Sequence, residues 1–205
     1  MLVEQYNTHT MTDRSALDSL VHTNSVSIED SRLIDNAWRG AEAYHFLLLA
    51  QRQLYEGFTD AALRTSHALV DYEDVIPNET IYAIIALTAT IARSFGTCSN
   101  AFIKLENVES MEARVEYEAL AVEIFTRYPP RDSRTQKIEC TNCEGSITDY
   151  GNTCGICDTK YPRCIVTGAP LTSVHFWQCD TCKHRAQETD IVSFSTCPLC
   201  HTLIA

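Results

Sequence analysis

The sequence predicts a mainly α-helical domain followed by a small, cysteine-rich β domain. Two observations predict this order. Apolar residues recur at helical spacing over residues 31–128, and eight of the ten cysteines form four Cys-x-x-Cys pairs in the last third of the chain. We therefore divide the 205 residues into an N-terminal segment (1–30), the helical domain, a linker (129–139) and a cysteine domain (140–205).

The N-terminal segment is rich in Thr, Ser, Asp, Asn and His, which predicts a flexible or short docking segment. It lacks the basic start and apolar core of a secretory signal. The chain has no run of 18 apolar residues that would span a membrane. Ten cysteines without a secretory signal indicate a reducing compartment, in which metal rather than disulfides holds the thiols.

Five helices are expected in the helical domain. Gly57 and Gly96 are placed to end the first and third helices, and prolines after residue 128 end the last. Asp60, Asn78 and Ser110 can cap the second, third and fifth. The third helix is apolar on almost all sides, which is typical of a helix buried on several sides.

A weak internal repeat indicates how these helices stack. Gly57-x-x-x-x-Ala62 and Gly96-x-x-x-x-Ala101 are 39 residues apart, and each opens a shorter helix after a longer one. Glycine at a turn and alanine at a close helix crossing are typical of TPR-like helical hairpins. Because such hairpins do not bury their faces alone, the pattern implies further repeats or a partner.

The cysteine spacing predicts two structural zinc sites. Ten residues separate the first two pairs, and 14 separate the last two. Two Cys-x-x-Cys turns supply the four thiolates of a closed tetrahedral site, so we expect two zinc ions in two sequential ribbons. A cross-brace order, which pairs the first with the third turn, stays open as an alternative. The predicted ligands are Cys140, Cys143, Cys154, Cys157, Cys179, Cys182, Cys197 and Cys200.

Several other residues of the cysteine domain are candidates for lesser roles. Cys164 is interpreted as a small buried residue, with substitution for a zinc ligand as the alternative, and a short strand is expected over 164–166. His184 and His201 closely follow ligand cysteines and are expected to lie outside the zinc ligand set. Phe176 and Trp177 are expected to form a strand and part of the small core.

Charge and motif content argue against two function classes. The formal net charge is −11, and from residue 138 onward four basic residues face seven acidic ones, so we expect no nucleic-acid binding. No phosphate loop, His-Glu-x-x-His motif or Ser-His-Asp order occurs in the chain. Because cysteines can fill every zinc position, we predict no catalytic residues and a protein that is not an enzyme.

Both halves of the chain resemble one family in the same order. In the helices the resemblance rests on Trp38-Arg-Gly-Ala-Glu-Ala-Tyr-His-Phe and Ser94-Phe-Gly-Thr-Cys-Ser-Asn-Ala. In the cysteine domain it rests on Cys164-Ile-Val-Thr-Gly and Phe176-Trp-Gln-Cys-Asp-Thr-Cys-Lys-His. These stretches resemble the C-terminal part of the WD40/TPR subunits of intraflagellar transport complex A. Propellers typical of that family are missing here, so the chain is expected to be a fragment or a short gene product.

The resemblance implies a non-enzymatic scaffold whose partners are the other complex A subunits. It further implies roles in retrograde transport, ciliary cargo entry and cilium assembly, and a place in the cilium or flagellum, basal body and cytoplasm. The family's metal cysteines carry over to the eight predicted ligands and no further. A RING-like ubiquitin ligase module is the alternative, and it requires the cross-brace order.

Overall fold

The computed structural model describes residues 28–132, 137–148 and 150–204. The chain separates into two compact units, Met1–Glu42 and Ala43–Ala205, which are described separately. Within its described residues the first unit contributes the beginning of helix α1 (Ile28–Tyr55). The predicted flexible segment therefore lies outside the described residues, except for its last three residues, which are helical.

The second unit begins with the rest of α1 and continues through four more helices. Consecutive helices from α2 onward pack against each other. Leu69–Tyr72 forms a short 3₁₀ turn between α2 and α3. The helices are α2 (Thr59–Ala68), α3 (Asn78–Ile91), α4 (Phe95–Leu105) and α5 (Met111–Arg127). This is the TPR-like helical region that the sequence predicts.

One hydrophobic cluster holds these helices together. It runs from Ala43 to Leu105, and its largest fully buried side chains include Phe46, Leu69 and Ile81. Helix α3 supplies several of its residues, as expected, although Leu87 on the same helix is half exposed. Buried hydroxyls in this core are paired, which removes the cost of burying them: Ser66 and Thr88 lie 2.9 Å apart, and Thr88 donates to the carbonyl of Ile84.

The helix ends follow the sequence signals only in part. Gly57 has a φ of 85°, as a residue that ends a helix often does, and the Ser110 side chain accepts from the amide of Ala113. Asp60 and Asn78 lie inside the first turns of their helices and do not cap them. Gly96 does not end α3; it lies in the first turn of α4, where its amide donates to the carboxylate of Asp132.

Two small β-hairpins follow the helices. Strand β1 (Lys137–Glu139) pairs antiparallel with β2 (Ser146–Thr148), and β3 (Phe176–Gln178) pairs antiparallel with β4 (Arg185–Gln187). The short helix α6 (Glu188–Ile191) follows β4.

Two expectations for this region are wrong. Residues 165–167 form a turn instead of a strand, and just before them Arg163 and Cys164 each make a single bridge, with Pro170 and Arg185. Phe176 and Trp177 form the predicted strand but are only half-buried, and the buried apolar side chains around the second metal centre belong to other residues. Those buried residues are Ile165, Leu171, Ala186 and Ile191.

Candidate metal centres

Each Cys-x-x-Cys pair occupies a tight turn with the same backbone hydrogen bonds. In the first turn the amide of Cys140 donates to the carbonyl of Gly145 (2.7 Å), and the amide of Glu144 donates to the carbonyl of Cys140 (2.8 Å). The residue after the second cysteine has a positive φ in all four turns: 57° at Glu144, 53° at Asp158, 61° at Lys183 and 60° at His201. The shared turn places both sulfurs of a pair at one site.

The eight sulfurs form two groups of four, and within each group all sulfurs lie within 4.8 Å of one another. Two Sγ–Sγ distances in the first group are 3.6 and 3.5 Å, and two in the second are 3.5 and 3.7 Å. Four thiolates around a zinc ion at about 2.3 Å are separated by about 3.8 Å, so both groups fit a tetrahedral zinc ion. All ten cysteines of the chain are free thiols.

The grouping follows the order of the chain. Residues 140–157 supply the first group and residues 179–200 the second. The sequential ribbons that we favoured are confirmed, and the cross-brace alternative is wrong. In each group the first turn lies at the tip of a hairpin, β1–β2 or β3–β4, and only a short stretch of chain separates the end of that hairpin from the second turn.

Hydroxyl groups stabilise thiolates in the first group. The Tyr161 hydroxyl lies 3.1 Å from the sulfur of Cys140 and also accepts from the amide of Thr141 (3.0 Å). This hydrogen bond lowers the pKa of the Cys140 thiol. Hydrogen bonds from the Thr159 hydroxyl and amide lower the pKa of Cys157 to about 6. Part of the site is therefore prepared to ionise before any metal arrives.

In the second group a threonine hydroxyl likewise stabilises a cysteine thiolate. Burial raises the pKa of Cys200, but hydrogen bonds with the hydroxyl and amide of Thr202, together with those of Cys179 and Cys197, outweigh it and lower that pKa to about 6. Burial raises the pKa values of Cys182 and Cys197. A bound cation would lower these pKa values again, since it stabilises all four thiolates at once.

The histidines and Cys164 stand apart from both groups. Cys164 is fully buried, and its sulfur accepts from the amide of Gln187 (3.4 Å). The Nδ1 atom of His184 donates to the carbonyl of Cys182 (2.9 Å), and His201 follows Cys200 in its turn. None of the three contributes an atom to either sulfur group.

The sequence analysis missed the supporting hydroxyl groups. Thr159 and Thr202 each stand two residues after the last cysteine of their group, so a Cys-x-Thr pattern could have identified them. Tyr161 carried no comparable signal, because its contact with Cys140 spans 21 residues.

Changing Tyr161 to phenylalanine should weaken the first zinc site. The variant loses the hydroxyl that stabilises the Cys140 thiolate, and the loss of such a supporting hydrogen bond typically weakens metal binding by about 10–100-fold. Competition with a zinc chelator would measure this as one ion released early. The second site is the internal control, because the Tyr161 hydroxyl makes its hydrogen bonds to Cys140 and Thr141 of the first site. Equal release of both ions would contradict the assigned role.

No helix in the described part of the chain is long and apolar enough to cross a membrane. This finding concerns the helices of residues 28–132, 137–148 and 150–204 alone.

Comparison with known proteins matches both halves of the chain. Residues 35–132 match a family model described as "IFT121-like, TPR repeats", and residues 162–205 match one described as "IFT121, second zinc finger domain". The chain is 47% identical over 192 residues to "WD repeat-containing protein 35" of Rattus norvegicus and of Mus musculus. Its match to the Homo sapiens protein of that name is 47% identical over 190 residues.

These matches cover 93% of the chain for the two rodent proteins and 92% for the human one. The chain spans about 15% of the length of each of these relatives. The zinc finger description and the two cysteine groups together support zinc as the cofactor, with two ions.

Proposed function

Because the chain belongs to the IFT121-like family, we propose that it is the C-terminal region of a scaffold subunit of intraflagellar transport complex A. In this proposal it is not an enzyme, and it docks neighbouring complex A subunits for retrograde transport and ciliary cargo entry. The observation that carries the proposal is the joint family match to the helical region and to the second zinc finger. The proposed locations are the cilium or flagellum, the basal body and the cytoplasm.

The two metal centres have a structural role in this proposal. The eight predicted cysteines hold two zinc ions, and every coordination position is taken by a protein sulfur, as in closed structural sites. The RING-like ligase is not proposed, because it depends on a cross-brace order that the sequential grouping replaces. We also expect no nucleic-acid binding, because acidic residues outnumber basic ones in the cysteine domain.

Helix α5 offers a surface for docking. It has no buried residue, and Met111, Val115, Leu120 and Val122 are 48–69% exposed. Met111, Val115 and Val122 recur at helical spacing, so they lie along one side of the helix. Exposed apolar side chains in such a row are typical of a protein contact, and the glutamates around them favour a partner with basic residues beside its apolar contacts.

An affinity pull-down of the tagged chain from ciliated cells tests this proposal. We expect other complex A subunits, identified by mass spectrometry, to be recovered with the unchanged chain. Changing Val115 and Val122 together to aspartate should reduce that recovery at least about tenfold, since two charges would enter an apolar contact.

The matched control changes Val174 and Val192, each 82% exposed in the cysteine domain, to aspartate. This pair of substitutions adds the same two negative charges but leaves α5 unchanged, so the recovery of complex A subunits should stay the same. Recovery of no complex A subunit by the unchanged chain would contradict docking by these residues. Equal loss in both double variants would contradict the assignment of the contact to α5.

A further inference from the structure

A fifth turn in the cysteine domain has the hydrogen bonds of the four Cys-x-x-Cys turns but only one cysteine. In this turn the amide of Cys164 donates to the carbonyl of Ala169 (2.8 Å), and the amide of Gly168 donates to the carbonyl of Cys164 (2.8 Å). Thr167 stands where the second cysteine would be. Gly168 follows with a φ of 73°, as the equivalent residues do in the other turns. Residues 164–169 are called the fifth turn below.

The fifth turn lacks the ligands that a zinc ion needs. Its single sulfur, on Cys164, belongs to neither group of four, and a closed zinc site takes four protein ligands. A turn of six residues has too few contacts of its own to be stable alone. Something other than metal must therefore hold the fifth turn in the shape of a zinc turn.

Helices α1 and α2 supply the missing contacts. The Nε2 atom of His45 donates to the carbonyl of Ile165 (2.6 Å), and the side-chain amide of Gln53 donates to the carbonyl of Thr167 (3.1 Å). The Thr65 hydroxyl donates to the side-chain oxygen of Gln53 (2.7 Å), which holds the Gln53 amide in place. Thr167 stands at the second ligand position of the metal turns, and Ile165 lies between the two ligand positions.

Gly168 shows that the fit to the helices is close. A Cβ atom at this position would lie 2.2 Å from the hydroxyl oxygen of Thr65, far closer than two such atoms can approach. The turn itself does not require glycine, because the equivalent residues in the metal turns are Glu144, Asp158, Lys183 and His201, all at positive φ. Contact with helix α2 therefore explains the glycine.

The fifth turn is also hydrogen-bonded to strand β4, which follows the first turn of the second metal centre. The amide of Ile165 donates to the carbonyl of Arg185 on β4 (3.0 Å), and Cys164 forms a parallel bridge with the same residue. Strand β4 begins three residues after Cys182. A continuous series of contacts thus runs from α1 and α2, through the fifth turn, to the second group of cysteines.

We propose that the fifth turn is an intramolecular docking site in which helices α1 and α2 take the place of a zinc ion. The carbonyls of Ile165 and Thr167 receive donors from the helices, and Gly168 allows helix α2 to come close. Its function is to fix the second metal centre to the helical array, so that both present one rigid surface. The proposal does not depend on which partner that surface binds.

Changing Gly168 to alanine tests this docking in the full chain. Hydrogen exchange measured by mass spectrometry should show the amides of the fifth turn exchanging about tenfold faster or more, because the new methyl group forces the turn away from Thr65. Zinc content should stay at two ions per chain. The matched control is Lys183→Ala, which puts the same residue at the same turn position on an exposed metal turn. It should leave exchange in the fifth turn unchanged.

A second variant covers the case in which Gly168→Ala does not fold. Gln53→Leu with Thr65→Val removes the donors of Gln53 and Thr65 without adding bulk, although the His45 donor stays, and it should also speed exchange in the fifth turn. Exchange at the wild-type rate in both variants would overturn the proposal. Loss of a zinc ion from Cys164→Ser would also overturn it, because the fifth turn would then be a metal turn.

Discussion

Replacing Cys179 by serine is expected to release one of the two zinc ions and to unfold the second metal centre, while the helices stay folded. The second centre has few buried apolar side chains of its own, so metal binding must supply most of its folding free energy. Structural zinc sites contribute about 10–16 kcal/mol in isolated zinc fingers. The helices keep their own hydrophobic cluster, which contains no residue of the cysteine domain.

Three measurements on the full chain would check this result. Elemental analysis should fall from two zinc ions per chain to one, and hydrogen exchange should become fast between residues 179 and 200. The helical circular dichroism signal should be largely kept. A collapse of that signal would mean that the helices and the second centre fold as one unit, contrary to the domain division that we predict.

Cys164→Ser is the matched control for this experiment. Cys164 is fully buried, as Cys179 nearly is, but its sulfur lies in neither group of four. The substitution should therefore leave two zinc ions bound. If Cys179→Ser also kept two ions, Cys179 would not be a ligand.

The metal centres were predictable because their information is local. A Cys-x-x-Cys turn is set by six neighbouring residues, and short spacers favour pairing in sequence order. Helix caps were less predictable, since Asp60 and Asn78 have suitable side chains but are the second and the first residue of their helices, after Phe58 and Pro77 at the cap positions. The prediction for Gly96 failed for a different reason: Gly96 lies at the start of a helix, close to the carboxylate of Asp132, 36 residues away, and not at the end of one.

The docking contacts could not be read from the sequence at all. The fifth turn is defined by backbone hydrogen bonds, and without a second cysteine it shows no pattern. His45 and Gln53 contact it across 120 and 114 residues, so helical periodicity gives no hint of their role. His67 likewise fits a helix surface by pattern, yet its ring stacks on Tyr150 with centroids 4.5 Å apart.

His67 is expected to make the protein less stable as the pH falls from 7.5 to 5.5. Its Nε2 atom is buried without a hydrogen-bond partner among the described residues. Burial, and then the charge of Arg163, lower the pKa of His67 to about 4, against a smaller opposing effect of Asp132. The folded protein therefore binds this proton less readily than the unfolded chain, whose His67 has a pKa of about 6.5.

This order of pKa values determines that the free energy of unfolding decreases as the pH falls. Above about pH 6.5 the ring is neutral in both states and the group leaves stability unchanged; below it the unfolded chain gains the proton first. At pH 5.5 the loss amounts to about 1.4 kcal/mol, and near pH 4 it approaches about 3 kcal/mol. Other groups titrate over the same range, so the effect must be isolated by comparison with a variant.

His67→Phe provides that comparison, because it keeps an aromatic ring against Tyr150 but cannot bind a proton. Urea unfolding at the two pH values should show the wild type losing about 1.3 kcal/mol more than the variant. His175→Phe, at an exposed position, should follow the wild type. If the free energy of unfolding fell equally with pH in the wild type and in His67→Phe, His67 would take up its proton in the folded protein as readily as in the unfolded chain. Its ring would then have to leave Tyr150 in the folded protein. Because that ring joins helix α2 to the cysteine domain, a measured difference would also show that this contact persists in solution.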